Sequence, residues 1–130
     1  MAYQFKHHFT LAEARALLPQ VKQWLVRLRH LSDRLAKQEK RLDLLTKGGQ
    51  DVGGETVNDN VRLWAEIKTV LLEFNRRNIQ IKDLRRGLID FPAIIGDREV
   101  FLCWEEDEED IEFWHDLETG FAGRERLDPE

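Results

Sequence analysis

The sequence is poor in cysteine and has no long apolar segment. Cys103 is the only cysteine among 130 residues, so an intrachain disulfide is excluded, and a lone thiol is typical of a reducing compartment. No apolar run approaches the roughly 20 residues that span a bilayer, and the N-terminus lacks the apolar region of a signal peptide. We therefore expect a cytoplasmic protein with no membrane partner.

Glycine is concentrated in one stretch, which excludes one class of site. Four glycines lie between residues 48 and 54, but no Lys-Ser or Lys-Thr pair follows them and no strand is predicted before them. A nucleotide-binding phosphate loop needs both features. We interpret the stretch as a flexible turn between two helices.

Charge is distributed unevenly along a chain of single-domain size. The net charge is −5, yet residues 1–50 carry ten Lys and Arg against four Asp and Glu, whereas residues 87–130 carry three against fifteen. A basic helix over residues 27–47 could follow a phosphate backbone, but the negative net charge argues against a nucleic-acid partner. The basic first part and the acidic last part can instead attract each other, either within the chain or between two copies. We predict a homodimer.

The first part of the chain has helical periodicity. Thr10 and Glu13 form a capping-box pattern at a helix start, and Pro19 predicts a kink or break near Leu18. Apolar residues then recur at spacings of three and four up to Leu45, and again after the glycines, with Trp24 and Trp64 predicted to pack in the seam. We expect an antiparallel helical hairpin over residues 10–78.

The period changes to two after residue 78. Gly96-Asp97 between two apolar runs predicts a tight hairpin that pairs Phe91 with Leu102, with an apolar face on one side. A third strand is predicted over 111–115, with Ile111 on the apolar face. The prediction is an α+β fold in one domain, residues 1–130, with a three-stranded antiparallel meander and terminal turn over 79–124 and a frayed tail over 125–130.

Several separated motifs resemble one prokaryotic family. They are Lys82-Asp83-Leu84, the run from Gly87 to Ala93, Leu102-Cys103-Trp104, Phe113-Trp114-His115-Asp116 and the run from Gly120 to Arg124, together with Phe9-Thr10-Leu11 and Leu17-Leu18-Pro19. In this order they resemble the uncharacterised family DUF2203 over nearly the whole chain. The resemblance implies no activity, substrate or cofactor. Members of that family have a shorter turn with a Gly-Glu pair where this chain has the acidic run from Glu105 to Asp110.

The strand pattern gathers polar residues on the second face of the meander. Glu112, Trp114 and Asp116 are expected there beside Asp90 and Cys103. Carboxylates, a thiol and an imidazole are ligand types for a divalent metal, although the spacing is no recognised signature, so no metal or cofactor is assigned. Cys103 is alternatively a nucleophile or apolar filler, and His115 a hydrogen-bonded core residue. The predicted ligand or interaction surface comprises Asp90, Cys103, Trp114, His115, Asp116 and Arg124.

Two functions remain open at this level. The first is a non-catalytic interaction module that works as a homodimer, because the second sheet face and the helical seam leave more apolar surface than a chain of this size exposes. The second is a small-ligand- or metal-dependent enzyme that uses Asp90, His115, Asp116 and Arg124. An enzyme needs a concave pocket where titratable groups with shifted pKa values converge, whereas a module needs a flat patch.

Overall fold

The computed structural model describes residues 2–49 and 54–128, which form two α-helices and one five-stranded antiparallel sheet. The α+β class is confirmed. Neither described helix combines the length and apolar character of a membrane span. The chain divides into two compact units, Met1–Leu25 with Phe74–Glu130, and Val26–Glu73. The elements are α1 (Leu11–Lys47), α2 (Gly54–Asn75), β1 (Gln80–Asp83), β2 (Leu88–Ile95), β3 (Arg98–Glu105), β4 (Phe113–Asp116) and β5 (Glu125–Arg126).

Helix α1 begins as its capping box predicts. The Thr10 amide donates to Glu13 Oε1 at 2.8 Å, and the Glu13 amide donates to Thr10 Oγ1 at 3.1 Å. These bonds satisfy two of the amide groups that a helix start leaves without partners. Hydrogen bonds from the backbone and the side chain of Thr10 lower the pKa of Glu13.

Of the kink or break predicted at Pro19, the break does not occur, because α1 is helical without interruption from Leu11 to Lys47. Proline removes one hydrogen bond to the preceding turn, which costs about 3 kcal/mol in a helix interior. Ala14, Leu18, Val21 and Leu25 are all buried on both sides of the proline. Burial of this apolar stripe keeps the helix continuous where local preference would end it.

The unit Val26–Glu73 contains the rest of α1, α2 up to Glu73, and a small leucine-rich core. Leu28, Leu31 and Leu35 of α1 are buried, as are Leu63 and Ile67 of α2. The predicted glycine turn between them lies partly at residues 50–53, outside the described residues.

One seam prediction in this unit is wrong. Trp64 is 56 % exposed, and Val61 and Leu71 on the same face are also exposed. Ile67 and Phe74, which also belong to the predicted seam, are buried as expected, and Leu63 is buried with them. The buried face of α2 therefore matches the predicted seam only in part, with Leu63 buried in place of Trp64. Trp24 of the other unit does pack, with its ring edge-on to Phe74 at 5.3 Å.

The register of β2 and β3 is confirmed. Phe91 pairs with Leu102 and Ile89 with Trp104, across the turn at Gly96, whose φ of 64° suits glycine. The central part of the apolar face, from Ile89 to Ala93 and from Val100 to Trp104, is buried, whereas Ile95 near the turn is exposed. The start of the chain packs on this face, where the Phe9 ring meets Phe91 at 5.4 Å.

The meander has five strands, and the prediction of three is wrong. β1 was missed because the strand has only four residues, most of them polar, and so shows no alternation of apolar and polar residues. β5 lies in the segment predicted to fray, where Phe113 pairs with Arg126 and the Leu127 amide donates to the Glu112 carbonyl at 2.8 Å. The last two residues lie outside the described part of the chain.

The segment before α1 is attached to the sheet through Glu99 of β3. The Glu99 carboxylate accepts hydrogen bonds from the amides of Gln4 and Phe5, at 2.8 and 2.9 Å, and lies 2.7 Å from His8 Nε2. The Phe9 amide donates to the Pro92 carbonyl at 2.7 Å.

The predicted facing of β4 is wrong by one residue. Phe113 pairs with Cys103 and His115 with Phe101, so Phe113 and His115 lie on the second face of the sheet. Trp114 and Asp116 therefore point to the opposite side, not toward Asp90 as expected. The prediction extended the alternation from Ile111, but the strand begins only at Phe113, so Ile111 does not set its parity.

Candidate functional site

Three buried side chains of different chemistry meet on the second face of the sheet. Asp90 of β2 pairs directly with Cys103 of β3, and His115 of β4 lies diagonally beside them. One ligand-type atom from each residue lies within 4.8 Å of the others, and all three residues are buried. The order of the strands thus brings together residues separated by 25 positions.

The two ring nitrogens of His115 have different partners. Nδ1 lies 2.7 Å from the backbone carbonyl oxygen of Asp116, and Nε2 lies 2.9 Å from Asp90 Oδ2. Because a carbonyl oxygen only accepts, Nδ1 carries a proton. Nε2 is therefore the nitrogen whose proton can be exchanged with Asp90.

The surroundings of His115 hold it in the charged form. Burial disfavours the imidazolium, but hydrogen bonds with Asp90, Cys103 and the Asp116 carbonyl, with the nearby Asp90 charge, raise the pKa of His115 to about 10. The net effect is a buried imidazolium beside a carboxylate.

Asp90 retains unused bonding capacity. The residue is 1 % exposed, and its Oδ1 has no hydrogen-bond partner among the described residues. A buried carboxylate oxygen without a partner is costly, since such atoms are nearly always paired.

Arg124 closes the cluster on the side of Cys103. Its guanidinium forms a bidentate ion pair with Glu108, at 2.6 and 3.2 Å, and its Nη1 lies 3.9 Å from Cys103 Sγ. The same group lies between the rings of Phe113 and Phe121, at 3.9 and 4.2 Å. Burial opposes the charge, but the Glu108 and Cys103 contacts raise the pKa of Arg124 further.

A cavity of about 290 Å³ opens onto the cluster. Asp90, Cys103 and His115 form part of its lining, so the three buried groups border space that a small molecule can enter. The other lining residues are Lys82, Leu88, Leu117, Glu118, Gly120 and Phe121.

The comparison with family models gives one match. The model of an uncharacterized conserved protein, DUF2203, matches residues 7–127. The chain belongs to this family. No curated protein and no solved structure matches it.

The structure of this DUF2203 member separates the predicted surface into two groups. Asp90, Cys103 and His115 converge, and Arg124 contacts the thiol. Trp114 and Asp116 lie on the other face, where the Arg98 guanidinium stacks 5.3 Å from the Trp114 ring and pairs with the Asp116 carboxylate. Asp116 takes part in the cluster only through its backbone carbonyl.

Several residues of the DUF2203 cavity were missed in the sequence. Lys82, Leu117, Glu118 and Phe121 come from β1 and from the segment after β4. Leu117 and Glu118 carry no motif-level signal, whereas Lys82 and Phe121 do lie in the motifs that carry the family resemblance. Their common position follows only from the five-stranded topology.

Proposed function

We propose that Asp90, Cys103 and His115 bind a divalent transition metal, and that the protein performs metal-dependent chemistry on a small molecule in the adjoining cavity. The supporting observation is that oxygen, sulfur and nitrogen donors, all buried, lie within 4.8 Å of one another at the wall of that cavity. A thiolate, an imidazole and a carboxylate are the ligand types of Zn²⁺, which is the ion we propose.

The distances suit such an ion after a small adjustment. Ligand atoms lie about 2.0–2.3 Å from zinc, so two of them at a tetrahedral angle are roughly 3.4 Å apart. His115 Nε2 and Asp90 Oδ2 are now 2.9 Å apart. The ion therefore requires this pair to separate by roughly 0.5 Å and replaces the proton between them.

The orientation of His115 also suits a ligand. Metal-binding histidines usually donate the other ring N–H to a carbonyl or carboxylate, which fixes the tautomer. The Nδ1 contact with the Asp116 carbonyl at 2.7 Å is of this kind, and it leaves Nε2 facing the other two donors. The hydrogen bond from Arg124 to Cys103 Sγ places a positive charge beside the sulfur.

Three protein ligands beside a cavity suit catalysis better than a structural role. Structural zinc sites are closed by four protein ligands, whereas catalytic sites have three and keep a position for water or substrate. The metal would supply a Lewis acid at that position. Because a metal thiolate needs a reduced cysteine, we also propose that the protein works in the cytoplasm.

Cobalt titration of tag-free protein tests this proposal. We expect one equivalent of Co²⁺ to bind and to give a sulfur-to-cobalt charge-transfer band. Cys103→Ser should abolish the band, whereas Asp116→Asn, a matched control on the opposite face, should keep it. Circular dichroism checks the folding of each variant. An absence of binding, or a band that survives Cys103→Ser, would contradict the metal site.

A second observation favours self-association, and we propose that the protein is also a homodimer through α2. Val57, Val61, Trp64 and Leu71 are exposed, with Lys68 between the last two. Their spacing of three and four residues, counting Lys68, is that of a coiled-coil seam.

A groove of about 300 Å³ on this face has an apolar lining. A second copy offers the same stripe, and a two-fold arrangement brings each Lys68 ammonium toward the partner's aromatic ring as a cation–π contact. Sedimentation velocity should show a dimer that Trp64→Glu dissociates. Val26→Glu, at an exposed apolar position on α1, is the matched control. A monomeric native protein would refute this proposal.

A further inference from the structure

The cavity is lined by one positive and one negative side chain, both of them exposed. Lys82 and Glu118 both line it, and among the described residues neither forms an ion pair. The Lys82 ammonium lies over the ring of Phe101, at 5.2 Å. Two opposite charges border one cavity without pairing with each other.

Apart from these two charges, Gly120 and the cluster of Asp90, Cys103 and His115, the lining is apolar. Leu88, Leu117 and Phe121 line the cavity beside the two charges, and the volume of about 290 Å³ limits the occupant to a small molecule. An occupant that matches this lining carries an anionic group, a cationic group and a short apolar part.

We propose that the cavity binds a small amino carboxylate, an α-amino acid with an apolar side chain. Its carboxylate pairs with Lys82, its ammonium group pairs with Glu118, and its side chain contacts Leu88, Leu117 and Phe121. This inference rests on the proposal that the cavity is a small-molecule site. It does not require the metal.

The two rim charges have separate roles in this arrangement. Lys82 distinguishes ligands by the carboxylate, and Glu118 distinguishes them by the ammonium group. Loss of one charge-assisted hydrogen bond should weaken binding by about tenfold or more. Removal of Lys82 should weaken only the binding of ligands that carry a carboxylate. Removal of Glu118 should weaken only the binding of ligands that carry an ammonium group.

Calorimetric titration of metal-free, full-length protein with three related ligands tests the proposal. L-leucine carries both charges, leucinamide lacks the carboxylate, and 4-methylpentanoate lacks the amine. We expect leucine to bind at least about tenfold more tightly than either analogue. Lys82→Met should remove the preference over leucinamide, and Glu118→Gln the preference over 4-methylpentanoate.

Lys22→Met is the matched control, because Lys22 also lies over an aromatic ring, that of Trp104 at 5.9 Å, but does not line the cavity. It should leave all three affinities unchanged. Equal binding of the three ligands, no binding of leucine, or equal effects of Lys22→Met and Lys82→Met would overturn the inference. Cobalt binding without leucine binding would refute this inference alone, whereas leucine binding without cobalt binding would refute the metal site alone.

Discussion

Replacement of Asp90 by asparagine should change how the stability of the metal-free protein depends on pH. Asp90 is the charged partner of the buried His115, and among the groups that raise the pKa of His115 to about 10 against burial it contributes both a hydrogen bond and a charge. Asparagine keeps the size of the side chain and can donate its amide N–H to Nε2 of a neutral imidazole. With the charge gone, burial remains and lowers the pKa of His115.

The sign of the effect follows from linkage. In the native protein the pKa of His115 is raised from an unfolded value near 6.5 to about 10. Its contribution to stability is therefore complete below about pH 6.5 and is lost as the pH rises toward 10. The loss approaches about 1.4 kcal/mol per pH unit, the limit for one proton. Between pH 7 and pH 9 the free energy of unfolding should fall by about 2 kcal/mol more in the native protein than in Asp90→Asn.

Urea denaturation at several pH values, with a chelator present, measures this difference. Other groups titrate over the same range, but they are common to both proteins and cancel when the two curves are subtracted. Asp116→Asn is the control, since its carboxylate pairs with Arg98 on the other face and the native slope should persist. Parallel curves for the native protein and Asp90→Asn would refute the assignment of a buried imidazolium.

Three further predictions concern stability. Burial raises the pKa of Glu99, but hydrogen bonds from the N-terminal segment outweigh it and lower this pKa. Stability should therefore be lost as the pH falls below about 4.5. In acid denaturation curves, Glu99→Gln should flatten that loss. Gly87→Ala should cost about 1–3 kcal/mol in urea, because φ is 66° and the new Cβ would lie 2.6 Å from Glu106 Cβ, whereas Gly96→Ala meets nothing within 4 Å and should cost less. Arg124→Met should cost roughly 2–4 kcal/mol through its lost ion pair and ring contacts, and thermal unfolding that matches the native protein would contradict this.

The sequence predicted the hairpin of the sheet well because two independent signals agree there. The Gly96-Asp97 turn and the alternation of apolar residues both require Phe91 opposite Leu102, and a slip by one residue would expose the whole apolar face. Asp90 and Cys103 therefore lay together as expected. This pair is the part of the candidate site that local pattern determines.

The position of β4 could not be predicted in the same way. Ile111 is fully buried and suggested the start of a strand, but its carbonyl accepts hydrogen bonds from the Arg15 side chain and it is not part of β4. A strand of four residues has too few positions for its apolar pattern to show which residues face which side of the sheet. The prediction that Trp64 is buried was wrong for a related reason. Apolar residues lie on both faces of α2, so only tertiary contacts decide which face is buried.

The Trp114-His115-Asp116 motif therefore combines three different roles. Its middle residue turns inward to the cluster, while the side chains on both sides bind Arg98 on the opposite face. The Asp116 main chain nevertheless fixes the proton on His115 Nδ1, which no side-chain substitution at that position removes. Neighbouring residues of a strand point to opposite faces of the sheet. The Arg98 contacts therefore hold β4 through the face that bears Trp114 and Asp116, while His115 points to the other face, into the cluster. Substitution of Arg98 should thus affect the proposed metal binding only by moving the strand, whereas substitution of Cys103 removes one of the proposed ligands directly.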